Sequence, residues 1–395
     1  MIVKTIDEVK KYVVEKLTAV NVDKQAAEVV ADSLAYADAR GTKSHGLNML
    51  PAYIERIEKG GIDVKAKNTI LKDGSTYVAM DGNNGFGQTA LSELKDTLLK
   101  KAENSPIVCG TVSHMNHCGA LSYYSEDCAR KGKICFLFVN ANPTVAAFGG
   151  MEAVLGTNPF SVAVPNGEKP IILDMASSNV AKAKIYAAAK TGQKIDPSWA
   201  LNKEGYPTDD PNEAINGVLT PMGGPKGYGL ALVIETMAGV LSGAGITNEV
   251  LSVHKKTDEC MNAGAFMILV DPYFLFSKEE YAERISHLVD SVKNSKPQPG
   301  KTIFMPGEIE INKIDVSKEN GIEYDEKFFD WFLLIKEEMK WKQKSLLVLF
   351  HHFYLLMIRM ETFMRKVLET LLNLSFLMWT AYTPLVHMDV VHAWA

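Results

Sequence analysis

All 29 glycines of this 395-residue chain lie at or before Gly321. Glycine is the residue that lets a backbone take positive φ or pass close to another backbone or a ligand, so a turn-rich fold is confined to that part. The segment after Lys340 is written differently. It holds Trp341, Trp379 and Trp394 of five tryptophans, and His351, His352, His387 and His392 of nine histidines. A catalytic unit over residues 1–338 followed by an unmatched apolar tail over 339–395 is therefore expected. Within the tail, 345–358 and 370–388 lack charged residues. The first is too short for a bilayer core of about 30 Å, and the second is interrupted by Asn373, Pro384 and His387. An appended or altered reading-frame segment ranks first for the tail, a helical packing arm second and a membrane anchor third. Adjacent His351 and His352 point to different helix faces and have no carboxylate cluster beside them, so no metal site is expected.

With 47% hydrophobic and 23% charged residues the chain can bury one large or two medium cores and is globular in composition. A formal net charge of -5, without a basic stripe, excludes a general nucleic-acid binder. Cys109, Cys118, Cys128, Cys135 and Cys260 are odd in number and include no Cys-x-x-Cys pair. Neither a disulfide framework nor a zinc site is indicated, and a reducing cytoplasm fits. The start, Met1-Ile2-Val3-Lys4, enters an amphipathic pattern without the apolar stretch of a signal peptide, so no targeting segment and no membrane association are expected.

Hydrophobic spacing gives a coarse layout. Thr5 to Glu8 has capping-box spacing, with Val9, Val13, Val14 and Leu17 at helical intervals behind it. A second helix is predicted from Asp23 to Ala39, stopped near Gly41, which leaves Arg40, Ser44 and His45 at a helix end facing a potential ligand. Residues 70–80 read as extended, followed by a turn over Asp81 to Gly85 and a helix through Leu98 and Leu99. Buried strands are expected over 107–112, 134–139, 161–164 and 171–173, with a late one over 266–270. A small-residue helix is expected from Gly227 to Leu241, with glycines at its end allowing close packing, and a charged helix from Lys278 to Val292. No Gly-x-Gly-x-x-Gly follows a strand and no P-loop is present, so the fold class is mixed α/β with N-terminal helices rather than a Rossmann unit.

The chemistry-bearing segment runs from Ser113 to Tyr124, where His114 and His117 precede Cys118-Gly119-Ala120. A glycine beside an imidazole admits substrate and cofactor closely, and histidine titrates nearest neutrality. Three more polar, glycine-bearing segments accompany it: Ser44-His45-Gly46, Asp174-Met175-Ala176-Ser177-Ser178, and Pro221-Met222-Gly223-Gly224-Pro225-Lys226-Gly227. With Gly85-Phe86-Gly87-Gln88, Phe148-Gly149-Gly150, Leu155-Gly156-Thr157-Asn158-Pro159 and Pro306-Gly307-Glu308, they occur in an order that resembles the malate/L-lactate dehydrogenase-like family of NAD(P)-dependent oxidoreductases, over roughly residues 1–338.

The resemblance implies a mixed-sheet, non-Rossmann dehydrogenase fold, a homodimer, NAD or NADP as cofactor, and a small 2-hydroxy or 2-oxo acid of malate, lactate or sulfolactate type as substrate. His117 matches the family's catalytic histidine, which exchanges a proton with the substrate oxygen. His45 matches the Ser-His-Gly histidine that is the proton donor in some members; here it is placed as a substrate contact, with Ser44 and Arg40. Asp174, Met175 and Ala176 match a cofactor-contacting segment, and Lys226 and Gly227 a cofactor-contacting turn. Asn140, with Pro143 and Thr144, is matched more loosely to the lining of the nicotinamide site. Each has a bland counterpart: Asp174 can cap a helix, His45 can bond a nearby carbonyl, and Lys226 can simply face solvent.

One departure stands out. Family members commonly carry arginine four residues after the Ser-His-Gly histidine, and this chain has Met49. A thioether cannot fork onto a carboxylate, so either Arg40 or Arg56 compensates or the substrate carries its anionic group elsewhere. Ala183, where a glycine is usual, is a smaller oddity. Together with the tail, Met49 motivates a competing reading: a catalytically impaired member that binds a nucleotide or a partner.

Overall fold

The structure, a computed structural model, describes residues 1–326 together with 360 and 364. Residues Val3–Glu323 form one compact unit. The spacing of Tyr324, Phe328, Trp331 and Leu334 predicts a last amphipathic helix closing the catalytic unit; its last three positions and the tail readings lie outside the described residues. Tyr324, expected on that helix, is instead in a short strand, Ile322–Tyr324.

A strand, β1 (Ile2–Lys4), precedes three helices: α1 (Ile6–Ala19), α2 (Lys24–Ala39) and α3 (Leu50–Lys59). Thr5 accepts from the Glu8 amide while the Glu8 side chain accepts from the Thr5 amide, the reciprocal cap that the spacing suggested. Asp23 caps α2 through the amides of Gln25 and Ala26. Two 3₁₀ turns, Lys43–His45 and Leu47–Met49, connect α2 to α3. Gly46 between them is obligatory, because a Cβ there would lie 1.8 Å from Asp38 Oδ1. The Asp38 carboxylate accepts from the Leu47 amide at 2.9 Å, which holds the turn carrying His45.

The stretch 70–80, read as one extended run, is a hairpin of β2 (Thr69–Asp73) and β3 (Tyr77–Asp81). Gly74 makes the turn, donating to Tyr77 O at 3.0 Å. Next come α4 (Gly87–Lys101), β4 (Ile107–Met115), α5 (Ser122–Arg130) and β5 (Ile134–Val139). Then follow β6 (Val145–Ala146), β7 (Ala153–Leu155), β8 (Phe160–Val164) and β9 (Ile171–Met175). The remaining elements are α6 (Lys182–Thr191), β10 (Ala200–Leu201), α7 (Pro211–Asn216), β11 (Val218–Leu219), α8 (Pro225–Glu235), β12 (Ala263–Val270), α9 (Lys278–Lys293) and α10 (Glu308–Asn320).

Seven strands form the main sheet in the order β2-β3-β4-β12-β5-β8-β9. Only β3 and β4 pair in parallel, joined by α4 as the crossover; the other neighbours are antiparallel. A sheet of this kind has no reversal point between two βαβ halves, which explains the missing dinucleotide fingerprint. Leu91, Leu94 and Leu98 of α4 pack with Val78, Val108 and Val112 of the sheet in one fully buried cluster. Each such leucine contributes about 1.5–3 kcal/mol by leaving water. A second sheet, β10-β11-β6-β7, shares a smaller core with α6 and α7, built on Val145, Ile185, Ile195, Ala214 and Leu219.

The helix expected over Gly227–Leu241 starts two residues earlier, at Pro225, and after Glu235 widens into a π turn, Thr236–Val240. Gly239 sits in that turn; a Cβ would come 2.8 Å from Ile246 and 2.9 Å from Asn140 Nδ2. Among the described residues no helix is long and apolar enough to cross a membrane.

Candidate active site

His117 lies in the loop leaving β4, where three other elements converge on it. Tyr53, from α3, places its hydroxyl 2.7 Å from His117 Nδ1. Gln88, in the first turn of α4, donates from Nε2 to the Tyr53 oxygen at 2.8 Å. The amide of Gly119, a group that can only donate, approaches Nδ1 at 3.3 Å. Nδ1 is therefore an acceptor, and the ring proton of neutral His117 resides on Nε2. Gly119 has φ 77 and no side chain, and that conformation brings its amide to the ring.

His45, on the first 3₁₀ turn, stacks on His117 with ring centroids 5.5 Å apart and planes 28° apart. Ser44 Oγ lies 3.0 Å from His45 Nδ1. Burial, then the imidazoles of His45 and His254, lower the pKa of His117 from 6.5 to about 3. Burial also lowers His45, against the opposing pull of the Asp174 carboxylate. Both rings are thus neutral at neutral pH. An anionic substrate entering beside them acts in the opposite direction and favours the imidazolium form. Burial pushes the Cys118 thiol up to about 12, which keeps this neighbour from acting as a thiolate.

Asp174 ends β9, and one of its oxygens accepts from the amide of Ser122 at 2.8 Å, at the start of α5. The capping alternative is realised, though on an earlier helix rather than the next one. Beyond it, the segment 177–179 runs beside 220–222: Met222 donates to Ser177 O at 2.9 Å and Asn179 to Thr220 O at 3.0 Å. The Asp174-Met175-Ala176 segment and the Lys226 turn, far apart in sequence, thus share one edge of the fold. Gly223 and Gly224, at φ 58 and 65, curl the chain into the N-terminus of α8, where Lys226 is exposed in the first turn. Successive left-handed glycines and an exposed cation suit the diphosphate of a dinucleotide, so these residues fit such a cofactor.

Several expected contacts are replaced by structural roles. Arg40 is buried and ion-paired with Glu126 at 2.7 Å, while Tyr36 donates to the same carboxylate. Its guanidinium is engaged inside the protein. Arg56 is likewise fully buried and donates to Asn116 Oδ1 at 3.2 Å and to the carbonyls of Gly61 and Glu259. Neither arginine replaces the one missing at Met49, which is itself buried on the second 3₁₀ turn. Asn140 is buried, donates to Gly245 O at 2.8 Å and accepts from the Gly264 amide at 2.9 Å. It ties the end of β5 to β12 and to the loop before it. Gly227 is required because a Cβ would come 2.2 Å from Met222 O, and its amide donates to that carbonyl to close the turn.

His114 belongs elsewhere. It has φ 50, pairs with Asp81 Oδ2 at 2.9 Å, and lines an open groove of about 710 Å³ with Glu249, Glu259 and Cys260. Four residues at the site went unassigned in the sequence. Tyr53 and His254 carry no local signal, Asp38 acts through the Leu47 amide of the turn beside Gly46, and Gln88 was visible only as the end of Gly85-Phe86-Gly87-Gln88.

Residues 5–332 match the sequence profile of the malate/L-lactate dehydrogenase family. L-sulfolactate dehydrogenase of Methanocaldococcus jannaschii is 34% identical over 339 residues, covering 86% of this chain and 97% of that protein. Ureidoglycolate dehydrogenase (NAD(+)) of Escherichia coli K12 is 32% identical over 320 residues, covering 80% and 91%. The solved structure of the M. jannaschii sulfolactate dehydrogenase superposes with a TM-score of 0.81 at 33% identity, over 86% of this chain and 98% of that one. Mixed-sheet fold, family profile and relatives agree, and the chain belongs to the malate/L-lactate dehydrogenase family of NAD(P)-dependent 2-hydroxyacid dehydrogenases.

Proposed function

We propose that this enzyme interconverts a dicarboxylic or sulfonated 2-hydroxy acid and its 2-oxo acid, of malate or sulfolactate type, with His117 exchanging the proton. The observation that carries the reading is the neutral His117 ring, its Nδ1 occupied by Tyr53 and Gly119 and its other nitrogen left for the substrate. Bound NAD(P) supplies or accepts the hydride. Asp174, Met175, Ala176 and Lys226 would hold that cofactor. His117 Nε2 faces the substrate oxygen, donating a hydrogen bond to a carbonyl or, in its other tautomer, accepting a hydroxyl proton. Ser44 and His45 orient the acid beside it, the donors at hand where Met49 leaves no guanidinium.

The catalytic unit is placed in residues 1–338, so truncation after Lys340 should leave turnover intact. A homodimer in the cytoplasm is part of the same reading. It is supported by the exposed apolar residues Leu232, Val233, Val240 and Leu241 along α8 and its π turn, a face that solvent alone does not favour. Light scattering of the purified chain reads the oligomer.

The direct test is oxidation of NADH and NADPH against the oxo forms of malate, lactate, sulfolactate and ureidoglycolate. Saturable turnover with a four-carbon dicarboxylate or a sulfonated acid supports the reading. Cofactor binding without turnover of any acid would overturn it in favour of an impaired, nucleotide-binding member.

A further inference from the structure

Gln88 is fully buried, and although its Nε2 donates to Tyr53, its Oε1 has no hydrogen-bond partner among the described residues. A buried amide oxygen without a partner carries a desolvation penalty, so a second arrangement that used it would have something to gain. The amide is joined to its stem by a broad, roughly two-fold torsion, so a half-turn exchanges the places of nitrogen and oxygen without moving the chain. At the far end of the contact lies a histidine that must switch between donating and accepting.

We propose that Gln88 is a positioning residue which, through the Tyr53 hydroxyl, selects which ring nitrogen of His117 carries the proton. The inference rests on the reading of His117 as the proton-exchanging group. In the arrangement seen, Gln88 Nε2–H donates to Tyr53, Tyr53 O–H donates to His117 Nδ1, and the ring proton is on Nε2, ready to bond a substrate carbonyl. Oxidation needs the reverse. With the amide turned, Tyr53 O–H donates to Gln88 Oε1, His117 Nδ1–H donates to the Tyr53 oxygen, and Nε2 presents a lone pair.

The substrate hydroxyl proton then moves to Nε2, giving an imidazolium whose Nδ1–H is still accepted by Tyr53. No group is oxidised or reduced by this step. The turned state sets His117 Nδ1–H against the Gly119 amide 3.3 Å away, so that peptide must draw back, and in return Oε1 gains a partner. The other titratable groups facing the ring or its neighbours are His45 from the turn after α2, His254 from the loop before β12, Cys118 beside it, and Asp174 from β9 acting on His45. None of these is hydrogen-bonded to Nδ1 in the described contacts, where Nδ1 accepts from Tyr53 and Gly119.

The test follows the acid limb of kcat/KM for NAD⁺-dependent oxidation of malate or sulfolactate by the full chain. Gln88→Glu supplies only acceptors, favours Nδ1–H, and should move the limb up by about one pH unit or more. Gln88→Leu removes the acceptor for the turned state and should move it down. Both shifts should vanish in a Tyr53→Phe background, where the chain of hydrogen bonds is cut. If Gln88→Glu fails to fold, Gln88→Leu and its double variant with Tyr53→Phe carry the test. Their losses in kcat should be non-additive.

A limb unmoved by the Gln88 variants, or shifts that persist in Tyr53→Phe, overturns the proposal. His117→Asn separates the two levels. If its limb survives unchanged, the proton-exchange reading itself fails. If that limb is lost while the Gln88 variants are silent, only the role of Gln88 falls.

Discussion

His114 and His117 stand three residues apart and occupy opposite physical worlds. His114 is 46% exposed and paired with Asp81, which is 20% exposed, at the edge of an open groove. An accessible pair of that kind contributes about 0–1 kcal/mol and is screened by salt. Among the described residues His117 faces no carboxylate partner at hydrogen-bond distance; it faces a phenol, an amide and a second imidazole, and its pKa falls to about 3. The difference lies in what β4, α3 and α4 bring to each ring, not in residue type. A strained φ of 50 at His114 turns the chain so that consecutive imidazoles leave β4 toward different neighbours.

The largest test of this contrast is His117→Gln. Removing a general acid or base costs about 10²–10⁴-fold in kcat, while NADH binding, followed by fluorescence titration, should be retained. Equal losses in kcat and cofactor affinity would mean that the ring supports the fold rather than the chemistry. His45→Gln comes next. Losing one hydrogen bond to a charged group corresponds to about 1.5–3 kcal/mol, so KM for the 2-oxo acid should rise roughly tenfold or more with a smaller change in kcat. A kcat collapse in this variant with normal turnover in His117→Gln would exchange the two roles.

Met49→Arg sharpens the picture from the other side. Arg40 and Arg56 are buried and engaged, so a cation restored after the Ser44-His45 turn should lower KM for simple 2-oxo acids by about tenfold. No gain for any acid tested would show that the substrate carboxylate is anchored elsewhere. A stability measurement probes the same burial. The folded pKa of His117 lies below its ordinary 6.5, so the unfolded chain binds the extra proton first, and stability is lost as pH falls from about 6.5 toward 3. Chemical denaturation across that range should show a shallower loss in His117→Gln than in wild type. The smallest effect belongs to His114→Gln, for which kcat and KM should stay within about twofold and stability within about 1 kcal/mol. A large kinetic loss there would bring the open groove into the catalytic site.

Much of the framework was legible because it depends on neighbours in sequence. Thr5 with Glu8, Asp23 at the start of α2, and the alternating or continuous apolar runs of β4, β5, β8, β9 and β12 follow from local hydrogen bonding and side-chain period. The hairpin at Gly74 was missed because its turn is short and lies inside an otherwise extended pattern. Motif order also pointed to His45, His117, Asp174 and Lys226, although nothing local could say that segment 177–179 would lie beside 220–222.

Arg40 illustrates the limit of such reading. Its place at a helix end next to Ser44-His45 suggested a substrate clamp, yet Glu126, on a helix far along the chain, takes its charge. Asn140 is engaged by Gly245 and Gly264 in the same way. The amino-acid sequence by itself determined the caps, the strands, the family motifs and the presence of two imidazole-bearing turns, since propensity and spacing act over a few residues. Only the tertiary structure decided which histidine is buried, which arginines are silenced, and that Tyr53 and Gln88 reach His117. Desolvation and hydrogen bonding depend on atoms a few ångströms away in space, and in a mixed sheet those atoms come from segments tens of residues apart.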